Sequence, residues 1–126
     1  MLTQAEKAAL EQRSILLRRH ILELVRAAKA GHIGGDMSVV DILHILYFRE
    51  MRVSPTQSGD PLLDRMILSK GHCMEAYYPV LCERGFLGYQ DVLQGIGTFG
   101  TPYIGHPNCH LNGVEVNSGS LGHGLP

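Results

Sequence analysis

Apolar positions recur at near-helical spacing from Thr3 to Lys29, with Leu10, Ile15, Leu17, Ile21, Leu24, Val25 and Ala28 on the repeat and no proline among them. That period predicts one long amphipathic helix. Gly31 supplies its stop, and residues 31–37 read as a glycine-rich loop. A second helix is expected from about Ser38, with Ser38 as cap and Asp41 as a weak capping-box partner. Val39, Ile42, Leu43, Ile45, Leu46 and Phe48 make it apolar over much of its surface, as in a well-buried helix. From Ser54 to Pro61 the composition turns to Pro, Thr, Gln, Ser, Gly and Asp, a surface loop. Arg65-Met66-Ile67-Leu68-Ser69 is short and apolar, the pattern of a buried strand. A third helix is expected from about Cys73 to Glu83, ended by Gly85, and a short fourth from about Tyr89 to Leu93. Residues 95–113 are rich in Gly, Pro and Asn and read as loop, and Val114-Glu115-Val116 as a brief extended piece.

With 126 residues, 44% of them hydrophobic and 18% charged, the chain fits a modest globular domain with its own core. A formal net charge of -1 offers no basic stripe for nucleic acid. The Arg13, Arg18 and Arg19 group reads as the wet face of the first helix. No apolar run approaches the roughly 20 residues of a membrane span, and Met1–Lys7 lacks a signal-peptide layout. Cys73, Cys82 and Cys109 are odd in number and lack paired spacing, which favours free thiols and a cytoplasmic setting.

The chemistry concentrates where glycine precedes histidine: Gly31-His32, Gly71-His72 and Gly105-His106. Glycine lets backbone turn tightly or approach a ligand closely, and imidazole exchanges protons near neutral pH. Gly71-His72 follows the expected strand, at the end where open α/β sheets bind ligands. Gly34 and Gly35 place backbone N–H groups ahead of a helix start, an arrangement that favours anions such as phosphate. Neither a P-loop string nor a G-x-G-x-x-G fingerprint following a strand is present. Zinc held by His106, Cys109, His110 and Cys73 is a weak rival, because Cys109 and His110 are adjacent and no C-x-x-C pair exists. His20 and His44 lie on expected helices and read as structural or surface residues, and His110 as a loop residue. Lys70 reads equally as a phosphate contact or a surface lysine.

Four ordered motifs carry a family resemblance: Ala30-Gly31-His32-Ile33-Gly34-Gly35, Leu68-Ser69-Lys70-Gly71-His72, Gly105-His106-Pro107 and Gly119-Ser120-Leu121-Gly122-His123-Gly124. Together they resemble the start of transketolase, above all the separately encoded N-terminal subunits of split transketolases. The resemblance implies the front part of a thiamine-diphosphate-binding three-layer α/β domain with a mostly parallel sheet, helix-rich in this segment. It implies transfer of a two-carbon ketol unit between sugar phosphates, using thiamine diphosphate and a divalent metal, expected to be magnesium. His32 then matches a histidine lining the substrate channel, and His106 one that bonds substrate hydroxyls and the reacting centre. His72 matches one on the diphosphate side of the cofactor, while Gly119, Ser120 and Leu121 match the loop around its ring region.

The departures from the family pattern are Ile33 for proline, Asp36 for a small or neutral residue, and His123 for glutamine. The family's metal- and diphosphate-binding Gly-Asp-Gly motif is expected beyond residue 126, and the activating glutamate on another domain or chain. The partner implied is a C-terminal transketolase subunit or domain, in a homo- or hetero-oligomer with the cofactor at a dimer interface. Gly122–Pro126 reads as a loop entering a further element. Two functions stay open: a segment of a transketolase-like enzyme, inactive by itself, or a truncated homologue that folds or binds a partner without activity.

Overall fold

Thr3 starts the first helix by accepting from Glu6 N–H at 3.2 Å, while Glu6 Oε2 receives the Thr3 N–H at 2.7 Å, a reciprocal capping box. The computed structural model describes residues 2–57 and 59–120. Helix α1 (Gln4–Ala28) ends at Lys29, whose φ of 55° makes it the left-handed cap. The stop therefore falls two residues before Gly31. Gly31 instead allows close approach, since a Cβ there would lie 2.7 Å from Val25 Cγ2.

Helix α2 (Ile33–Ile45) begins five residues earlier than Ser38, with Gly34 and Gly35 inside its first turn. Gly35 is needed for packing rather than for a loop, because a Cβ at Gly35 would meet Cys73 Sγ at 2.8 Å. Ser38 lies within the helix and donates to Gly35 O at 2.8 Å. A π-helical turn follows over Leu46–Glu50, closed by Met51 N–H to Leu46 O at 2.8 Å. The helix is less buried than its composition predicts, and Ile42 is 59% exposed. Helix α3 (Met74–Glu83) and helix α4 (Tyr89–Gly95) fall close to their expected bounds. Gly85, with φ 85°, follows α3 as expected.

Helices α1, α2 and α3 pack on one another, and α4 closes against α1 and α3. Their shared core holds Leu17, Ile21 and Leu24 from α1, Val40 and Leu43 from α2, and Tyr77, Val80 and Leu81 from α3. Burial of such side chains contributes about 1.5–3 kcal/mol each. His20 and His44 are buried at its margin, His20 stacked on Tyr89 with ring centroids 4.0 Å apart. The arginine group is more engaged than a purely wet face: Arg13 lies 4.2 Å over the Phe48 ring and Arg18 pairs with Asp41 at 2.6 Å.

Among the described residues there is no strand. The expected strand over Arg65–Ser69 and the extended piece at Val114–Val116 are present as irregular chain. Arg65 pairs with Glu115, and Ser118 Oγ donates to Leu68 O at 2.7 Å. A Cβ on Gly71 would touch Gly119 N at 2.9 Å. The contacts keep the same order along both segments, so the two run parallel. A strand exists only through a ladder of N–H and C=O pairs with a neighbour, and here side chains make the connections instead.

Candidate functional site

Three chain segments meet at the start of α2. His32 is its N-cap residue, and the first intrahelical bond is Asp36 N–H to His32 O at 2.9 Å. Helix geometry leaves the N–H groups of Ile33, Gly34 and Gly35 directed out of that end. His72, just before α3, sets its ring edge-on against His32 with centroids 5.0 Å apart. The third segment brings His106, whose ring would lie 2.9 Å from a Cβ on Gly119. Gly119 in turn abuts Gly71, the residue before His72. The structure thus gathers His32, His72 and His106 into one region, with Gly119 between the loops.

Each loop is fixed from behind. Tyr78 of α3 donates its hydroxyl to Ile104 O at 2.7 Å, two residues before His106, and Pro107 is buried. Lys70 Nζ donates to Gly35 O at 2.8 Å and to Ser38 Oγ at 2.7 Å, tying the His72 loop to α2. Lys70 thus commits two of its three ammonium protons to α2. Asp36, fully buried, accepts the Ala76 N–H of α3 at 3.2 Å.

The electrostatics follow from burial. Desolvation, then the electrostatic influence of the neighbouring His32, Lys70 and His106, holds the His72 pKa below its ordinary value. The buried Nδ1 of His72 has no hydrogen-bond partner. Burial pushes the Asp36 carboxyl up to about 6, against the opposing pull of the Ala76 N–H and of His32 and Lys70. Glu75, also buried, is raised by desolvation and by the Asp36 charge.

Ser120 is exposed beside Gly119, and Leu121, with the closing Gly122-His123-Gly124, lies outside the described residues. His110 and Cys109 are exposed. Among the described residues no group of three or more His, Cys, Asp or Glu side chains is arranged to hold a metal ion. No helix of the described chain is long and apolar enough to cross a membrane. Asp36, Lys70 and Tyr78 act through contacts distant in sequence. In the sequence, Asp36 stands out as a departure from the family pattern, Lys70 as a phosphate contact or surface lysine, and Tyr78 as helix core.

The outward N–H groups at the α2 start suit an anionic group such as a phosphate, while Gly71 and Gly119 let the loops that carry His72 and His106 pack closely. Residues 11–126 match the family model described as transketolase, thiamine diphosphate binding domain. The chain is 47% identical over 116 residues to an apulose-4-phosphate transketolase subunit of Phocaeicola vulgatus, covering 92% of this chain and 41% of that protein. It is 34% identical to a 6-deoxy-6-sulfo-D-fructose transketolase subunit of a Clostridium species, over 92% of this chain and 42% of that protein. It is 33% identical to human transketolase over 97% of this chain and 19% of that protein. The chain thus spans about two fifths of the length of the subunit-type relatives it matches. With the family model covering nearly all of its residues, the chain belongs to the transketolase family, in its thiamine diphosphate-binding domain.

Proposed function

We propose that this chain forms part of the thiamine diphosphate site of a transketolase that moves a two-carbon ketol unit between sugar phosphates. The observation that carries the reading is the meeting of His32 and His72 at the α2 start with His106 alongside. His72, Gly119, Ser120 and Leu121 would hold the cofactor, His72 toward its diphosphate. His32 and His106 would face the substrate, where ketol transfer needs protons moved to and from hydroxyl and carbonyl oxygens. Positioned histidines contribute roughly 10²–10⁴-fold through such transfers. The cofactor, when bound, supplies the electron sink for the two-carbon fragment.

Metal ligands, with magnesium the expected ion, and the group that activates the cofactor would come from sequence outside these 126 residues and from a C-terminal transketolase subunit in an oligomer. The parallel run of residues 65–71 beside 115–119 supports their becoming neighbouring strands of a mostly parallel sheet in the full domain. Two relatives are named for different ketoses, one phosphorylated and one sulfonated. The substrate class proposed is accordingly a ketose with an anionic terminus. A cytoplasmic setting suits the free thiols.

The test is ketol transfer by the chain assembled with its C-terminal partner, thiamine diphosphate and magnesium, across a panel of sugar phosphates. Transfer that disappears when cofactor is omitted supports the reading. Cofactor-loaded assembly with no transfer to any acceptor overturns it, and leaves a homologue that binds its partner without activity. Among the described residues by themselves, only the outward N–H groups at the α2 start are placed to meet the charge of a diphosphate. Calorimetry on the isolated chain should then show weak cofactor binding or none.

A further inference from the structure

Helix α3 begins without a cap of its own. Its N-cap residue is Cys73, whose side chain makes no capping bond. The four leading N–H groups of a helix need acceptors, and the local sequence offers none of the usual Ser, Thr, Asp or Asn. The acceptor comes from another helix. Asp36, in the first turn of α2, places Oδ1 3.2 Å from Ala76 N, which otherwise reaches only Cys73 O at 3.3 Å. A carboxylate at a helix N-terminus is also favoured by the helix dipole.

The position is costly for a carboxylate. Asp36 is 0% exposed and its Oδ2 has no partner. Burial without full hydrogen bonding penalises a carboxylate strongly. What the placement accomplishes is geometric. Asp36 lies four residues after His32, and Ala76 four after His72, so one bond joins the two histidine-bearing turns at the same depth. Lys70 makes the second join on the other side, through Gly35 O and Ser38 Oγ. We propose that Asp36 is a positioning residue, a cap supplied to α3 from α2 that holds the His72 ring against His32. Its use in catalysis rests on the functional reading above, whereas the geometry it sets is measurable in this chain alone.

The test uses the 126-residue chain and nuclear magnetic resonance. Asp36→Asn keeps an acceptor for Ala76 N–H, and Asp36→Ala removes it. Asp36→Ala should abolish the cross-peak between the His32 and His72 rings and speed hydrogen exchange at Ala76 by about tenfold, the loss of one hydrogen bond. Amides in the middle of α1 should keep their protection, and Asp36→Asn should restore both signals. A second measurement needs no variant. In a pH titration the Ala76 amide proton and the Asp36 carboxyl carbon should share one midpoint. An undisturbed ring cross-peak in Asp36→Ala, equal loss of protection in α1, or separate midpoints for Ala76 and Asp36 would overturn the assignment. Failure of ketol transfer in the assembly, with these signals intact, would count against the functional reading and leave the positioning role standing.

Discussion

Tyr47 and Tyr77 meet hydroxyl to hydroxyl at 2.5 Å in the core, and the Tyr77 hydroxyl donates to Gly113 O at 2.9 Å. Tyr47 therefore donates and Tyr77 accepts. The chain of bonds ties the π-helical turn after α2 to α3 and to the loop that leads into residues 114–120. Tyr47→Phe removes one donor and should cost about 1 kcal/mol. Tyr77→Phe strands both the buried Tyr47 hydroxyl and the Gly113 carbonyl and should cost about 2–3 kcal/mol. Urea unfolding of the two variants would measure the difference, and equal losses would contradict the direction of the chain.

Gly34 and Gly35 are neighbours with opposite constraints. A Cβ on Gly34 meets nothing within 4 Å, whereas one on Gly35 meets Cys73 Sγ at 2.8 Å and His72 Nε2 at 3.4 Å. Gly34→Ala should stabilise the chain by up to about 1 kcal/mol, since alanine restricts the unfolded state and favours helix. Gly35→Ala should destabilise it by about 1–3 kcal/mol through overpacking and push the His72 loop away. Thermal melts of the two variants should move in opposite directions.

The helices α1, α3 and α4 were legible because their apolar residues keep a helical period and their ends carry ordinary signals, such as Thr3 and Gly85. The start of α2 was not, because Gly34 and Gly35 suit a loop, and only the closeness of Cys73 explains them inside a helix. The segment at Arg65–Ser69 has the composition of a strand, but a strand depends on neighbours that composition does not supply. At the site, the Gly-His pairs and the motif order pointed to His32, His72 and His106. The supports of those rings, Asp36 to Ala76 and Tyr78 to Ile104, are tertiary hydrogen bonds with no local pattern.

The raised pKa of Asp36 makes stability depend on pH in a defined direction. Its value is about 6 in the folded chain against an ordinary value of 3.8, so the folded state binds the extra proton between these limits. The contribution is fully present below 3.8 and is lost as pH rises through about 6. Relative to Asp36→Asn, the native chain should lose up to about 3 kcal/mol between pH 4 and pH 7. The buried His20 and His44, whose lowered pKa values act in the opposite direction, are common to both proteins and drop out of the comparison. Urea titrations of the pair at several pH values would check it, and a gap that does not change with pH would be the contrary result.

His72 and His106 should separate kinetically in the intact assembly. His72 is partly buried, which lowers its pKa, and adjoins the α2 start where outward N–H groups favour phosphate. His106 is exposed on a loop anchored through Tyr78 and Pro107, free to meet a substrate hydroxyl. An interaction that strengthens as charge develops lowers the barrier, whereas one made equally before and during reaction only tightens binding. His106→Ala should therefore lower kcat by about 10²-fold or more with little change in cofactor affinity. His72→Ala should weaken cofactor affinity by about tenfold, with much of the turnover recovered at saturating cofactor. Steady-state kinetics across a cofactor titration reads both effects on each variant. If His106→Ala loses cofactor while turnover at saturation is unchanged, the two roles are reversed.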